Sequence, residues 1–219
     1  MKLNLNKNYP KIVLTGGPCA GKTTAKNFIQ QELTKQGYTV FFLSETATEV
    51  LKSGITPDTV GLYKFQKAVI SLQIQKEELF VDVLNQLPSN IKPILICDRG
   101  VPDSKAFCHI GMYEDIIHSL EYDEKYLKNN YDLVIHLEII AKEKPELYGK
   151  ATNKVRIETA SAAIDRDNDL IEVWKDFNKK YYIIDNKNKT MIDKCKLIMD
   201  YINAYLLEKE NCKFDDLEL

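Results

Sequence analysis

The sequence predicts an α/β protein built on a parallel sheet. Three observations carry that expectation. Five short β-type runs alternate with helical patterns. Several of those runs are apolar throughout, as strands buried on both faces read. A glycine-rich turn joins the first run to the first helix.

The five runs are Lys11–Thr15, Thr39–Glu45, Pro93–Arg99, Tyr131–Glu138 and Lys180–Asn186, rich in Val, Ile, Leu, Phe and Tyr. The first helix is expected over Gly21–Gln36, stopping at Gly37, a residue suited to the position after a helix end. Leu62, Phe65, Val69, Leu72, Leu79, Val83 and Leu87 mark one face of a long helix that Pro88 terminates. Ile157–Phe177 and Met191–Leu207 read as further helices, and the polar Cys212–Leu219 as a frayed end. One segment departs from the alternation. Ala141–Val155 is polar, holds Pro145 and Gly149, and leaves the fourth run for a helix. A long polar loop at the carboxyl end of a strand reads either as a surface loop or as a lid, here over residues 141–156.

The chain has 219 residues, enough for one well-buried domain, and no internal repeat or low-complexity linker divides it. A net charge of −2 gives no reason to expect nucleic acid or an anionic membrane as partner. The longest apolar stretches, such as Pro93–Cys97 and Leu133–Leu137, fall far short of the roughly 20 residues of a membrane-spanning helix. The amino terminus lacks the apolar run of a signal peptide. Five cysteines form no CxxC pair, and the three histidines show no metal-ligand spacing. Together these point to a reducing, cytoplasmic setting. His136, inside an apolar run, reads as a core histidine.

The chemistry is concentrated in KIVLTGGPCAGKTT. Gly16 and Gly21 bracket Gly17, Pro18, Cys19 and Ala20, and Lys22, Thr23 and Thr24 follow: a complete phosphate-binding loop between a strand and a helix. Glycines let the backbone approach phosphates closely, and successive N–H groups then cradle an anion at a helix amino terminus. Lys22 reaches the β- and γ-phosphates, the Thr23 hydroxyl is placed for Mg²⁺, and Thr24 lies near the α-phosphate. A Mg²⁺–nucleoside triphosphate, ATP or GTP, is the expected ligand.

Such a loop needs acidic and basic companions. Asp98 ends an apolar run where a metal-binding carboxylate belongs, and Arg99 beside it can neutralise the transferring phosphoryl group. Glu45 ends the second run. It reads either as the base for an attacking hydroxyl or as a cap on the next helix. Arg156 and Arg166 follow the candidate lid. They read as phosphate-binding arginines brought in by a closing segment, or as helix charges paired with Glu158 or Asp169.

GGPCAGKTT at Gly16–Thr24, SETAT at Ser44–Thr48, DRGVPDSKAF at Asp98–Phe107, NKVRIE at Asn153–Glu158 and IIDN at Ile183–Asn186 together resemble the P-loop family grouped as the NadR/TRPL-translocation-defect AAA domain. That family is similar in turn to nicotinamide-riboside and deoxynucleoside kinases. The resemblance implies a three-layer P-loop NTPase fold with sheet order 2-3-1-4-5 and a lid after the fourth strand. It implies Glu45 as catalytic base, with Gln66 and Asp103 lining an acceptor pocket. Phe65-Gln66 resembles the pair that holds a base in deoxynucleoside kinases; as plain sequence, Gln66 reads as a polar position on an amphipathic helix.

Two functions compete. One is a kinase acting on a nucleoside-like small molecule. The other is a nucleotide-dependent regulatory NTPase, ATPase or GTPase, acting on a protein partner. A Ras-type guanine site is not expected, because Asn186-Lys187-Asn188-Lys189 lacks the NKxD aspartate and Asp98-Arg99-Gly100 departs from DxxG. A ring-forming motor ranks last, because the chain is short for the helical lid domain such motors need.

Overall fold

The computed structural model describes residues 9–144, 159–187 and 189–215. Five strands form one fully parallel sheet: β1 Lys11–Thr15, β2 Thr39–Leu43, β3 Pro93–Asp98, β4 Leu133–Leu137 and β5 Lys180–Ile184. Their spatial order is β2-β3-β1-β4-β5. β1 pairs with β3 on one side (Leu14 opposite Asp98) and with β4 on the other (Thr15 opposite His136). The centre of the sheet is therefore where the chain order reverses, the place where open α/β sheets build sites beyond their carboxyl ends.

Helices cover both faces. The longer ones are α1 Lys22–Lys35, α4 Leu62–Leu84, α7 Ala160–Trp174 and α8 Met191–Asp215. Shorter ones are α2 Thr46–Lys52, α3 Pro57–Val60, α5 Met112–Ser119 and α6 Glu124–Asn129. Ile12 and Leu14 of β1 share a core with Ile29 and Leu33 of α1 and with Ile198 and Ile202 of α8. Val13, between them, faces the other way into a core with Leu84 of α4 and Leu170 and Trp174 of α7. Side-chain alternation thus sends successive β1 residues into two separate cores, which is why the run reads as apolar without a period.

The long helix buries only part of the face its apolar residues predict. Its buried positions are Phe65, Gln66, Val69, Ile70, Gln73, Ile74, Glu77, Val81 and Leu84. Leu79 and Val83 are 60% and 50% exposed. Phe65 and Val69 are covered by residues of α2 and α3, which pack on the amino-terminal half of α4. Farther along, the buried stripe includes a carboxylate, which hydrophobic patterning cannot find.

Of the segment read as a lid, residues 141–156, only Ala141–Lys144 lies among the described residues. Its first turn is part of a short 3-10 helix, Ile140–Lys142.

Candidate active site

The phosphate-binding loop leaves β1 at Thr15 and enters α1 at Lys22. Gly16 adopts φ +131°, and a Cβ there would sit 2.2 Å from the Leu137 carbonyl oxygen of neighbouring β4. Only glycine fits so close to that strand. Gly21, at the helix amino terminus, is left-handed and offers no side chain as a cap, and no acidic residue stands in the first turn. The first N–H groups of α1 thus face outward to be met by a ligand. Lys22 folds back over the loop, its Nζ donating to the Gly16 and Gly17 carbonyls at 2.9 and 3.1 Å. Burial lowers its ammonium to about 8; Arg99 adds repulsion, and Asp98, Glu45 and Asp103 limit the fall. Lys22 therefore stands within electrostatic reach of Asp98, Arg99, Glu45 and Asp103.

Asp98 ends β3 beside the loop. Burial raises its carboxyl, and Lys22 is the chief charge opposing that. Its Oδ1 is buried without a hydrogen-bond partner among the described residues. Arg99 follows at φ +74°, a left-handed conformation that a non-glycine residue rarely adopts. Its backbone is pinned at both ends: its N–H donates to the Leu14 carbonyl at 3.0 Å, and its carbonyl accepts from Gln73 Nε2 at 3.4 Å. The Nε donates to Glu45 Oε1 at 2.8 Å, while Nη1 is buried and also lacks a partner.

Glu45 occupies the residue before α2, but its side chain makes no cap bond. It turns instead to Arg99 and to the Thr48 hydroxyl, which donates at 2.7 Å. Burial pushes its carboxyl up, yet Arg99, Thr48 and Lys22 together hold it at about 2. The capping alternative is thereby set aside by geometry.

Glu45 and Arg99 line a cavity of about 190 Å³. Phe65, Val69, Leu51 and Phe107 give it apolar walls, and Gln66 and Ser104 add polar groups. Gln66 is buried and donates to the Phe107 carbonyl at 3.3 Å, so the plain surface reading of this residue does not hold. Asp103 lines the same cavity, but its carboxylate is used within the protein. One oxygen accepts from the Thr15 hydroxyl and, at 3.1 Å, from Trp174 Nε1; the other accepts the Gly100 N–H at 2.6 Å. It braces the loop from Arg99 to Phe107 against β1 and α7.

Arg166, on α7, stacks its guanidinium 4.8 Å from the centre of the Phe107 ring, with Arg99 5.4 Å from the same ring. It donates to the Ala106 carbonyl and lies 3.6 Å from Asp169. The Asp169 pairing expected of a helix charge is thus present, beside the cavity wall. Arg156 lies outside the described residues.

Sequence reasoning missed Asp167. This residue is fully buried on α7, and its Oδ1 accepts the Gly17 N–H at 2.7 Å. His136 Nε2 is 3.1 Å from the same oxygen, and Lys142 Nζ is 2.9 Å from the other. His136 is a buried strand residue, as expected, but it also belongs to this cluster.

A model of the AAA domain family matches residues 11–190. The chain belongs to the AAA domain family. No curated protein matches it in sequence. Among solved structures, this AAA domain is similar to deoxyadenosine kinase from M. mycoides with bound dATP, at 17% identity over 89% of this chain and 100% of that one, TM-score 0.59. The same kinase with bound dCTP matches at 18% identity over 89% and 99% of the two chains, TM-score 0.57. Thymidylate kinase from Candida albicans matches at 15% identity over 90% and 92%, TM-score 0.63. At these identities the likeness concerns the fold: a five-stranded parallel sheet in the order 2-3-1-4-5 with flanking helices.

Proposed function

We propose that this AAA domain is a Mg²⁺-dependent phosphotransferase that moves the γ-phosphoryl group of ATP to a hydroxyl of a nucleoside-like small molecule. One observation carries the reading: the Glu45–Arg99 ion pair lines an apolar-walled cavity of about 190 Å³ and lies within electrostatic reach of Lys22 in the phosphate-binding loop. A nucleotide switch acting on a protein needs no such cavity. The kinases that share the fold are named for a deoxynucleoside and a nucleotide acceptor, in keeping with a small ring-bearing acceptor here.

The residues take these roles. Backbone N–H groups of Gly16–Thr24 hold the phosphates, and Lys22 leaves its loop carbonyls to bind the β- and γ-phosphates. The partnerless Asp98 Oδ1 suits a divalent cation, with the Thr23 hydroxyl as the second protein oxygen. Asp98 and Thr23 would hold Mg²⁺ there, and the ion would supply charge neutralisation at the phosphate oxygens. Arg99, whose Nη1 has a hydrogen bond to give, neutralises the moving phosphoryl group; Arg156 and Arg166 are further candidates for that role. Glu45 accepts the hydrogen bond of the attacking hydroxyl and aligns it. Arg99, Thr48 and Lys22 hold it at about 2 against burial, so it stays ionised and able to accept that hydrogen bond. Gln66 binds the acceptor's polar edge between apolar walls, and Asp103 shapes that wall.

A thermal-shift screen of nucleotides and nucleosides with Mg²⁺ tests the reading, since stabilisation follows affinity for the native state. A shift with ATP, and a further shift with one class of nucleoside, is expected. A shift with GTP alone contradicts the adenine-based reading. A shift with ATP but with no small acceptor favours the regulatory alternative.

A further inference from the structure

The phosphate-binding loop carries a glycine that its motif does not require. Gly16 and Gly21 are fixed by the motif, whereas Gly17 fills a variable position. A Cβ at Gly17 would lie 2.6 Å from Ile139 Cγ2 and 3.1 Å from Asp167 Oδ1. That same oxygen accepts the Gly17 N–H at 2.7 Å. One buried carboxylate thus joins four parts of the molecule: the loop, His136 at the end of β4, Lys142 in the turn after it, and α7.

A carboxylate beside an anion site is electrostatically adverse, because it repels phosphate. Lys142, 2.9 Å away, offsets its charge. What the carboxylate supplies is shape. A charged acceptor makes one of the stronger bonds a backbone N–H can form, and it fixes the direction of the Gly17 peptide. The remaining loop N–H groups then start from a set geometry, and less ordering is left for the nucleotide to impose.

Resting on the nucleotide-binding reading of Gly16–Thr24, we propose that Asp167 is a positioning residue that acts through Gly17 to hold the loop in its phosphate-accepting shape. The second glycine is what admits this carboxylate to the loop backbone.

Binding of a fluorescent ATP analogue with Mg²⁺ to the full chain tests this, at a temperature where circular dichroism shows each protein folded. Asp167→Ala removes the bond and is expected to raise Kd by about tenfold or more, as losing a hydrogen bond to a charged group does. Asp167→Asn, which keeps an oxygen for the Gly17 amide, retains most of the affinity. Hydrogen exchange adds a readout that needs no variant: the Gly17 amide of the nucleotide-free protein exchanges slowly, and in Asp167→Ala it exchanges fast. A folded Asp167→Ala protein with a lowered Tm but unchanged Kd makes the residue merely structural and overturns the proposal. So does an Asp167→Asn protein as weak as the alanine variant. Should the alanine variant not fold, fast exchange of Gly17 in the unaltered protein overturns it alone. If the unaltered chain binds no nucleotide at all, the functional reading has failed first, whatever Gly17 does.

Discussion

Arg99 holds a conformation that costs about 1–3 kcal/mol for a residue with a side chain. Backbone bonds to Leu14 and Gln73 and the ion pair with Glu45 keep it there. This strained residue stands at the carboxyl edge of the sheet, next to Asp98, whose Oδ1 has no hydrogen-bond partner among the described residues. Glu45→Gln is expected to cut phosphoryl transfer by roughly 10²–10⁴-fold while the Kd for ATP stays unchanged, checked by steady-state kinetics alongside nucleotide titration. Asp98→Asn is expected to act in opposite directions on stability and activity. Burial already favours the uncharged carboxyl, so a folded pKa above the ordinary one makes ionisation destabilising as pH rises through it. The variant's Tm without nucleotide at neutral pH should therefore rise, while Mg²⁺-dependent transfer falls by roughly 10²-fold. The sequence singles out Lys22, Asp98, Arg99 and Glu45 because a glycine-rich motif fixes their spacing or they follow strands, and the fold brings these four within electrostatic reach of one another. Asp167 was not legible. An aspartate in mid-helix looks like any solvated charge, and its partner Gly17 lies 150 positions away.

At the scale of elements, α4 shows where patterning misleads. Its leucines and valines predict a stripe that includes Leu79 and Val83, yet the helix turns Gln73 and Glu77 inward instead. Glu77 pairs with Lys11 Nζ at 2.5 Å, both side chains wholly buried. It also accepts from Tyr131 OH at 2.7 Å, from Gln73 Nε2 at 2.8 Å and from Asn130 Nδ2 at 3.2 Å. Gln73 accepts from the Thr46 hydroxyl and donates to the Arg99 carbonyl, so the buried pair braces both sides of the Glu45–Arg99 site. Lys11→Met leaves the buried Glu77 without its ion-pair partner, and should cost about 3–5 kcal/mol in urea unfolding. Lys11→Met with Glu77→Leu should recover part of that loss but not the transfer rate, because Gln73 loses its anchor. The α7 helix carries a separate pH signature. His136 and the other Asp167 partners overcome burial and hold that carboxyl at about 2 instead of 3.8. A lowered folded pKa stabilises above the unfolded value and loses that stability as pH falls through the folded one. The contribution of Asp167 to unfolding free energy should therefore drop by about 2 kcal/mol between pH 3.8 and pH 2, and Asp167→Asn should make that part of the curve less steep.

For the molecule as a whole, the alternation of runs and helices was enough to predict a parallel α/β sheet, and all five strands fall within the expected runs. The order β2-β3-β1-β4-β5 came from the resemblance and not from the runs, because pairing joins segments far apart in the chain and leaves no local trace. That order sets β1, and so the phosphate-binding loop, between Asp98 on β3 and His136 on β4. It also brings Glu45, after the neighbouring edge strand, to Arg99 across 54 positions of sequence. The resemblance likewise implied an acceptor pocket with Gln66 and Asp103, both of which line the cavity; the runs alone do not show it, since α2, α4 and the turn after β3 each supply part of its wall. In the proposed function, this cavity holds the small molecule that receives the phosphoryl group. Mass spectrometry of the small molecules after incubation with ATP, Mg²⁺ and a panel of nucleosides tests it most directly. One nucleoside class gaining a phosphate in step with ADP release, with that gain lost in Glu45→Gln, is the predicted result. ADP release at the same rate with and without every acceptor, and no phosphorylated product, would contradict it.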